Sequence, residues 1–194
     1  YGKKEHKMGW NAQPTRMITF DNVRVPVSQR LGEEGQGFAI AMEGLDGGRI
    51  NIATCSVGTA QKAIQDAAAY VQERKQFDTP IADFQNTQFK LADMLTELVA
   101  ARQMIRLAAS KLDNQDPQAT TYCAMAKRFA TDVGFTVCND ALQLLGGYGY
   151  IKEYPMERYV RDTRVHQILE GTNEIMCVIV GRKLLMDGAL EVIQ

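Results

Sequence analysis

The chain has 194 residues, 45% of them hydrophobic and 23% charged, with 22 Lys and Arg against 23 Asp and Glu for a net charge of -1. That balance is an ordinary globular one, and it excludes a protein built around a strongly basic nucleic-acid footprint. No run of about 18 apolar residues occurs, so no membrane span is expected. Cys55, Cys123, Cys138 and Cys177 stand too far apart for a zinc site or a redox dithiol, and no metal ligand set is expected. They read as buried or half-buried thiols in a reducing compartment. No signal or transit peptide is read at the start, and the chain opens at Tyr1 without an initiator Met, so an excised fragment is one reading.

The first thirty or so residues differ from the rest. Residues 15–20 (TRMITF) and 23–27 (VRVPV) are β-branched and partly alternating, with Asp21-Asn22 between them as a turn. They predict two strands, and Pro26 puts the second at an edge or a strand end. A Gly-rich bend over 32–37 follows, and from Phe38 onward the period is helical. Residues 1–32 are therefore expected to form the end of a β domain, and residues 33–194 a helical domain.

Three long helices and a shorter one are predicted. The first runs over about 38–74, broken or kinked at Asp46-Gly47-Gly48-Arg49, because each glycine costs about 1 kcal/mol relative to Ala in a helix. In the second, Leu91, Leu95, Leu98, Ile105, Ala109 and Leu112 form the apolar stripe, with Met94, Ala101 and Ala108 beside it. The third carries Cys123, Ala126, Ala130, Val133, Val137, Ala141 and Leu144 at alternating steps, and ends at Gly146-Gly147. The last covers about 173–186, with Ile175, Val178, Ile179 and Leu185 toward the core. Long helices joined by short loops make a mainly α, up-down four-helix bundle the expected architecture.

Several residues invite a chemical reading. Glu170 sits between apolar Ile168-Leu169 and Gly171, with Thr172 as N-cap of the last helix. It is either a general base desolvated on a Gly-hinged loop or a solvated acid stabilised by the helix dipole. Spacing alone favours the second. Gly146, Gly147 and Gly149 either cap a helix or let backbone approach a nucleotide, with Gln143 beside it; they match neither phosphate-loop pattern. Arg74 reads first as a cation at a helix C-terminus. Arg49, just beyond the paired glycines, has the chemistry to meet a phosphate. His166 and Glu170 are four apart, but no further ligand stands at a fitting spacing.

Taken together the motifs resemble the C-terminal half of the acyl-CoA dehydrogenase family of flavoproteins. The resemblance is carried by ERKQF at 73–77, Gln85, LADM at 91–94, QLLGG at 143–147 and YVRDTRVHQILEGTNEI at 159–175, and it covers essentially the whole chain. The strings MGW at 8–10, QPTR at 13–16, GGRINIA at 47–53 and VHQILEG at 165–171 are most similar to members acting on isobutyryl-CoA, in valine breakdown. The resemblance implies an N-terminal helical domain, a middle β domain and this C-terminal bundle. It also implies α,β-dehydrogenation of a short branched-chain acyl-CoA, with isobutyryl-CoA favoured over 2-methylbutyryl-CoA or a short straight chain.

By the same resemblance Glu170 is the base that takes the α-proton, while the β-hydrogen passes as hydride to N5 of FAD. Its backbone N–H helps polarise the thioester carbonyl. Arg74, Phe84, Gln85, Gln143, Gly146 and Gly147 contact FAD, several of them across a subunit interface; Thr172, Asn173 and Glu174 bind it near the base. Asp46, Gly47, Gly48, Arg49 and Arg182 bind acyl-CoA. Asp78 stands where the family usually has Gly. A homotetramer is implied, with electron-transfer flavoprotein as acceptor, in the mitochondrial matrix of a eukaryote or the cytoplasm of a bacterium. A second expectation, from another class, is that this chain alone is a flavin-free helical assembly module.

Overall fold

The structure is a computed structural model and describes residues 1–187. Among the described residues six α-helices follow in chain order: α1 Gly37–Glu73, α2 Gln85–Asp113, α3 Ala119–Leu145, the single turn α4 Gly147–Tyr150, α5 Met156–Arg164 and α6 Asn173–Asp187. A two-stranded hairpin, β1 Lys75–Gln76 and β2 Thr79–Pro80, joins α1 to α2. Helix α3 is the central element, packed on α1, α2, α5 and α6.

The core is built largely from small side chains. Ala53, Ala60, Ala63 and Ala67 of α1 are fully buried with Ala126, Ala130 and Ala141 of α3. Small residues let helix axes approach closely, and at Gly134 of α3 an added Cβ would lie 2.8 Å from the Ser56 Cβ of α1. The mainly helical bundle expected from the sequence is thus present, with corrections of detail.

Helix α1 runs unbroken through Asp46-Gly47-Gly48-Arg49. Tertiary packing, with Arg49 and Ile52 buried just beyond, outweighs the roughly 1 kcal/mol propensity cost per glycine. In α2 the buried stripe is Met94, Leu98, Ala101, Ile105 and Ala108, while Leu95 is exposed. The helix is therefore turned by one position from the predicted face. In α6 the buried residues are Asn173 and Met176, and Ile175, Val178 and Leu185 are exposed. Cys123 and Cys138 are buried, and burial pushes their thiols up to about 11 and about 12; Cys55 and Cys177 are exposed, against expectation.

The two predicted strands do not pair with each other. Residues 15–17 instead meet residues 2–5, through the Lys4–Arg16 bridge and the bonds Gly2 N–H to Met17 O (2.8 Å) and Glu5 N–H to Thr15 O (2.9 Å). Met17, Ile18, Phe20, Val23, Val25 and Val27 are exposed. Alternating sequence specifies a strand only where a neighbour supplies the ladder and a layer covers the apolar face.

Candidate functional site

The turn Val165–Gln167 follows α5 directly, and α6 starts at Asn173. Between them Glu170 and Gly171 both hold left-handed backbone, with φ 56 and φ 87. Gly171 is required there, since an added Cβ would also lie 2.8 Å from the Met176 Cε. For Glu170 the conformation is strained, and strain of this kind persists where surrounding contacts impose it. Thr172 caps α6, its Oγ1 accepting the Ile175 N–H at 3.4 Å. Its hydroxyl and the Glu174 backbone N–H also hold the Glu174 carboxyl below the usual carboxylate range, the backbone N–H contributing more.

The support comes from a buried polar network on α3. Lys127, fully buried, donates to the Gly171 carbonyl at 2.7 Å and to the Asn173 Oδ1 at 2.8 Å. Asn173 in turn donates to Asp132 Oδ1 at 2.7 Å and Thr131 Oγ1 at 3.0 Å. Asp132 also accepts from Gln167 at 2.8 Å, which ties the turn before the loop to the same helix. Sequence reasoning passed over Lys127. The signal was available: position 127 lies on the face of Cys123, Ala130 and Ala126, a charge among core positions.

The Glu170 carboxylate, half-buried, points at α1. Gly48 is the point of contact, where an added Cβ would lie 2.9 Å from the Glu170 Cδ. Gly47 differs, since an added Cβ there meets nothing within 4 Å. A helical glycine with open space around it has no packing reason within these residues to be glycine. Asp46 and Arg49 form a buried ion pair at 2.6 Å, with the Thr120 hydroxyl donating to the other Asp46 oxygen at 2.6 Å. The Arg49 Nε is buried without a partner in the structure. Arg182 is exposed on α6.

His166 was weighed in the sequence only as a metal ligand; the structure gives it another place. Trp10 Nε1–H donates to His166 Nε2 at 2.9 Å, and His166 Nδ1 lies 2.7 Å from Ser56 Oγ. The indole is a donor only, so a neutral ring carries its proton on Nδ1 and donates it to Ser56. Burial lowers the imidazole to about 4. Trp10 N–H also donates to Asp162 at 2.6 Å, fastening residues 8–10 to α5. Among the described residues no three His, Cys, Asp or Glu side chains are grouped to hold a metal ion.

The other named residues gather at the far end of α3. A cleft of about 530 Å³ is lined by Tyr70, Arg74, Gln143, Gly146, Gly147 and Tyr148, among others. Arg74 is exposed, its guanidinium 5.5 Å from the Tyr148 ring centroid. Gly146 has φ 57, and an added Cβ at Gly147 meets nothing within 4 Å. In the hairpin Phe77 and Asp78 have φ 51 and φ 60, the two left-handed positions of a two-residue turn. Asp accepts that conformation, so the departure from Gly at position 78 leaves the hairpin intact. Phe84 precedes α2 with its ring 6.5 Å from Phe77, and Gln85 opens α2 on the surface.

Residues 35–185 match the C-terminal domain of acyl-CoA dehydrogenases. The chain belongs to the acyl-CoA dehydrogenase family. It is 57% identical over 187 residues to the mitochondrial isobutyryl-CoA dehydrogenase of Dictyostelium discoideum, covering 96% of this chain and 45% of that one. A subunit of the caffeyl-CoA reductase–Etf complex of Acetobacterium woodii is 46% identical, over 95% of this chain and 48% of its own length. The butyryl-CoA dehydrogenase structure from Megasphaera elsdenii superposes with a TM-score of 0.92 at 47% identity, covering 95% of this chain and 48% of that one. The chain thus spans about half the length of these relatives.

Proposed function

We propose that the protein carrying this chain is an FAD-dependent acyl-CoA dehydrogenase that introduces an α,β double bond into a short branched-chain acyl-CoA, isobutyryl-CoA being favoured. The observation that carries the reading is the Glu170 carboxylate, held on a strained loop against Gly48, with open space at Gly47 beside it. A carboxylate placed so, with room for an acyl group along α1, suits removal of a proton α to a thioester. Similarity to an isobutyryl-CoA dehydrogenase supports the branched acyl group.

Glu170 takes the α-proton on its carboxylate, and its backbone N–H donates to the thioester oxygen, where negative charge develops. Gly47 and Gly48 admit the acyl chain beside the base. Asp46, Arg49 and Arg182 serve acyl-CoA binding, the internal Asp46–Arg49 pair by fixing that stretch of α1. When bound, FAD supplies the acceptor for the β-hydrogen, which leaves as hydride. Thr172, Asn173 and Glu174 would hold it near the base. Arg74, Phe84, Gln85, Gln143, Gly146 and Gly147 would hold it elsewhere, and they fit a nucleotide: an exposed cation, an amide, and a glycine whose open space a side chain would fill.

Residues 1–32 are read as the end of a middle β domain, and residues 33–194 as the C-terminal helical domain. The two groups of flavin residues lie at opposite ends of α3, Gln143 standing roughly 24 Å beyond Lys127 at about 1.5 Å per residue. That separation supports a homotetramer in which the Arg74 end of one subunit completes the site at the Glu170 end of another. Electron-transfer flavoprotein would be the electron acceptor, in the mitochondrial matrix of a eukaryote or the cytoplasm of a bacterium. Similarity to a subunit of an Etf complex supports that acceptor.

The test is Glu170→Gln in the full-length, flavin-loaded protein. Flavin absorbance and acyl-CoA binding should persist, and bleaching of the flavin by isobutyryl-CoA should slow by at least about 10²–10⁴-fold, the range for a general base. Reduction at the wild-type rate would remove Glu170 from the mechanism.

A further inference from the structure

We infer that Lys127 is a positioning residue for the proton-abstracting loop: its ammonium, rooted in the central helix α3, ties the Gly171 carbonyl to the Asn173 side chain and so fixes the Glu170 carboxylate against Gly48. The inference rests on the reading of Glu170 as the base.

A fully buried lysine needs an explanation, because taking an ammonium out of water is costly. Its ammonium donates to a backbone carbonyl and a side-chain amide oxygen, both neutral. An unbranched apolar side chain of similar length would fill the same space without that desolvation cost, but it would leave the Gly171 carbonyl and the Asn173 Oδ1 without this donor. What the ammonium adds is direction. It bonds the carbonyl of Gly171, the second residue of the loop's left-handed pair, and the first residue of α6, so the chain is held directly after Glu170. Asn173 passes the restraint on to Thr131 and Asp132, on the next turn of the same helix.

The charges facing Lys127 come from every side. Asp132 of α3, Glu174 of α6 and Glu170 of the loop favour its charged form, and Arg49 of α1 opposes it. His166 in the turn before the loop lies within electrostatic reach and is buried neutral near pH 7. Burial outweighs these charges and lowers the ammonium to about 8. The charged form therefore holds the loop below about pH 8 and is lost above it.

The experiment uses the full-length, flavin-loaded enzyme with Lys127→Met. Expected are a retained cooperative thermal transition, an unchanged acyl-CoA dissociation constant, and flavin reduction slowed tenfold or more. The alkaline limb of the reduction rate near pH 8 should disappear with the lysine. Amide exchange of the peptide covering 169–174, followed by mass spectrometry without substrate, should quicken relative to peptides of α3. Wild-type reduction rates with unchanged loop exchange would overturn the inference. If Lys127→Met does not fold, wild type decides: loop protection relative to α3 should fall as pH rises from 7 to 9, and a constant ratio overturns the inference. Glu170→Gln is run in parallel. Full activity there defeats the assignment of the base, while the exchange measurements still judge whether Lys127 holds the loop.

Discussion

The two ends of α3 are held in different ways. At the Glu170 end, Lys127, Thr131 and Asn173 are buried and bonded to one another, and the backbone of Glu170 and Gly171 is strained against them. At the Gln143 end, Arg74, Gln143, Gly146 and Gly147 are exposed, and the Arg74 guanidinium lies 5.5 Å from the centre of the Tyr148 ring. The first end is organised by the chain's own hydrogen bonds; the second offers groups that a ligand or a neighbouring subunit would order. Chemistry that depends on where one proton sits needs the first kind of support, because a displacement of 1 Å can cost about 10²-fold in rate. Holding a nucleotide needs only the second.

Crowding the organised end should have the largest effect. Gly48→Ala improves helix propensity by about 1 kcal/mol, yet its Cβ would enter the space of the Glu170 carboxylate. Flavin reduction by acyl-CoA should slow by about 100-fold or more, while the thermal midpoint stays level or rises. Gly44→Ala, on the same helix, is the control, since its Cβ meets nothing within 4 Å of the protein. It should leave the reduction rate nearer to wild type than Gly48→Ala does. Stopped-flow reduction of both variants checks the contrast, and equal rates would mean that the carboxylate does not rest against Gly48.

Acid should sharpen the same comparison through His166. Its folded-state value of about 4 lies below the ordinary 6.5 because burial disfavours the imidazolium. Above about 6.5 both folded and unfolded rings are neutral, and stability is full. As pH falls toward 4 the unfolded chain takes up a proton that the folded ring refuses, and stability drops. The loss is of the order of 3 kcal/mol across that window. Urea midpoints at pH 7, 5.5 and 4.5 should decline, and His166→Gln should flatten the slope. A wild-type midpoint that holds steady to pH 4.5 would show that the ring is not buried neutral between Trp10 and Ser56.

How much of this was legible in the sequence depends on what each pattern needs from elsewhere. The stripe of α3 was readable because both period and burial are local properties of that helix. Helix α5 was missed, since Glu157, Arg158, Arg161, Asp162 and Arg164 mask the buried Met156, Tyr159 and Thr163. Helix α1 was read as broken because propensity is local, whereas the packing that carries it through Gly47-Gly48 is not. Residues 15–27 alternate as a strand does, but their pairing and cover depend on other parts of a chain. At the site, the carboxylate and its loop were visible, and their purpose came from family resemblance rather than spacing. Lys127 was visible only as an anomaly, a charge on an apolar face.

The open end should respond differently to mutation, and Arg74→Ala tests this. Arg74 is exposed, and its cation–π geometry with Tyr148 is of a kind worth about 0.5–1 kcal/mol at such sites. Its removal should therefore move the thermal midpoint of the flavin-free protein little. If the side chain meets a flavin nucleotide bound to a neighbouring subunit, losing a charge-assisted hydrogen bond costs roughly 1.5–3 kcal/mol. That corresponds to a ten- to hundredfold weaker retention of FAD. Titrating FAD into stripped full-length protein, with light scattering on the same samples, separates the two effects. Weaker FAD binding with an intact tetramer is the expected result. Unchanged FAD affinity would leave Arg74 as a cation at a helix end, which is all that its position in the sequence requires.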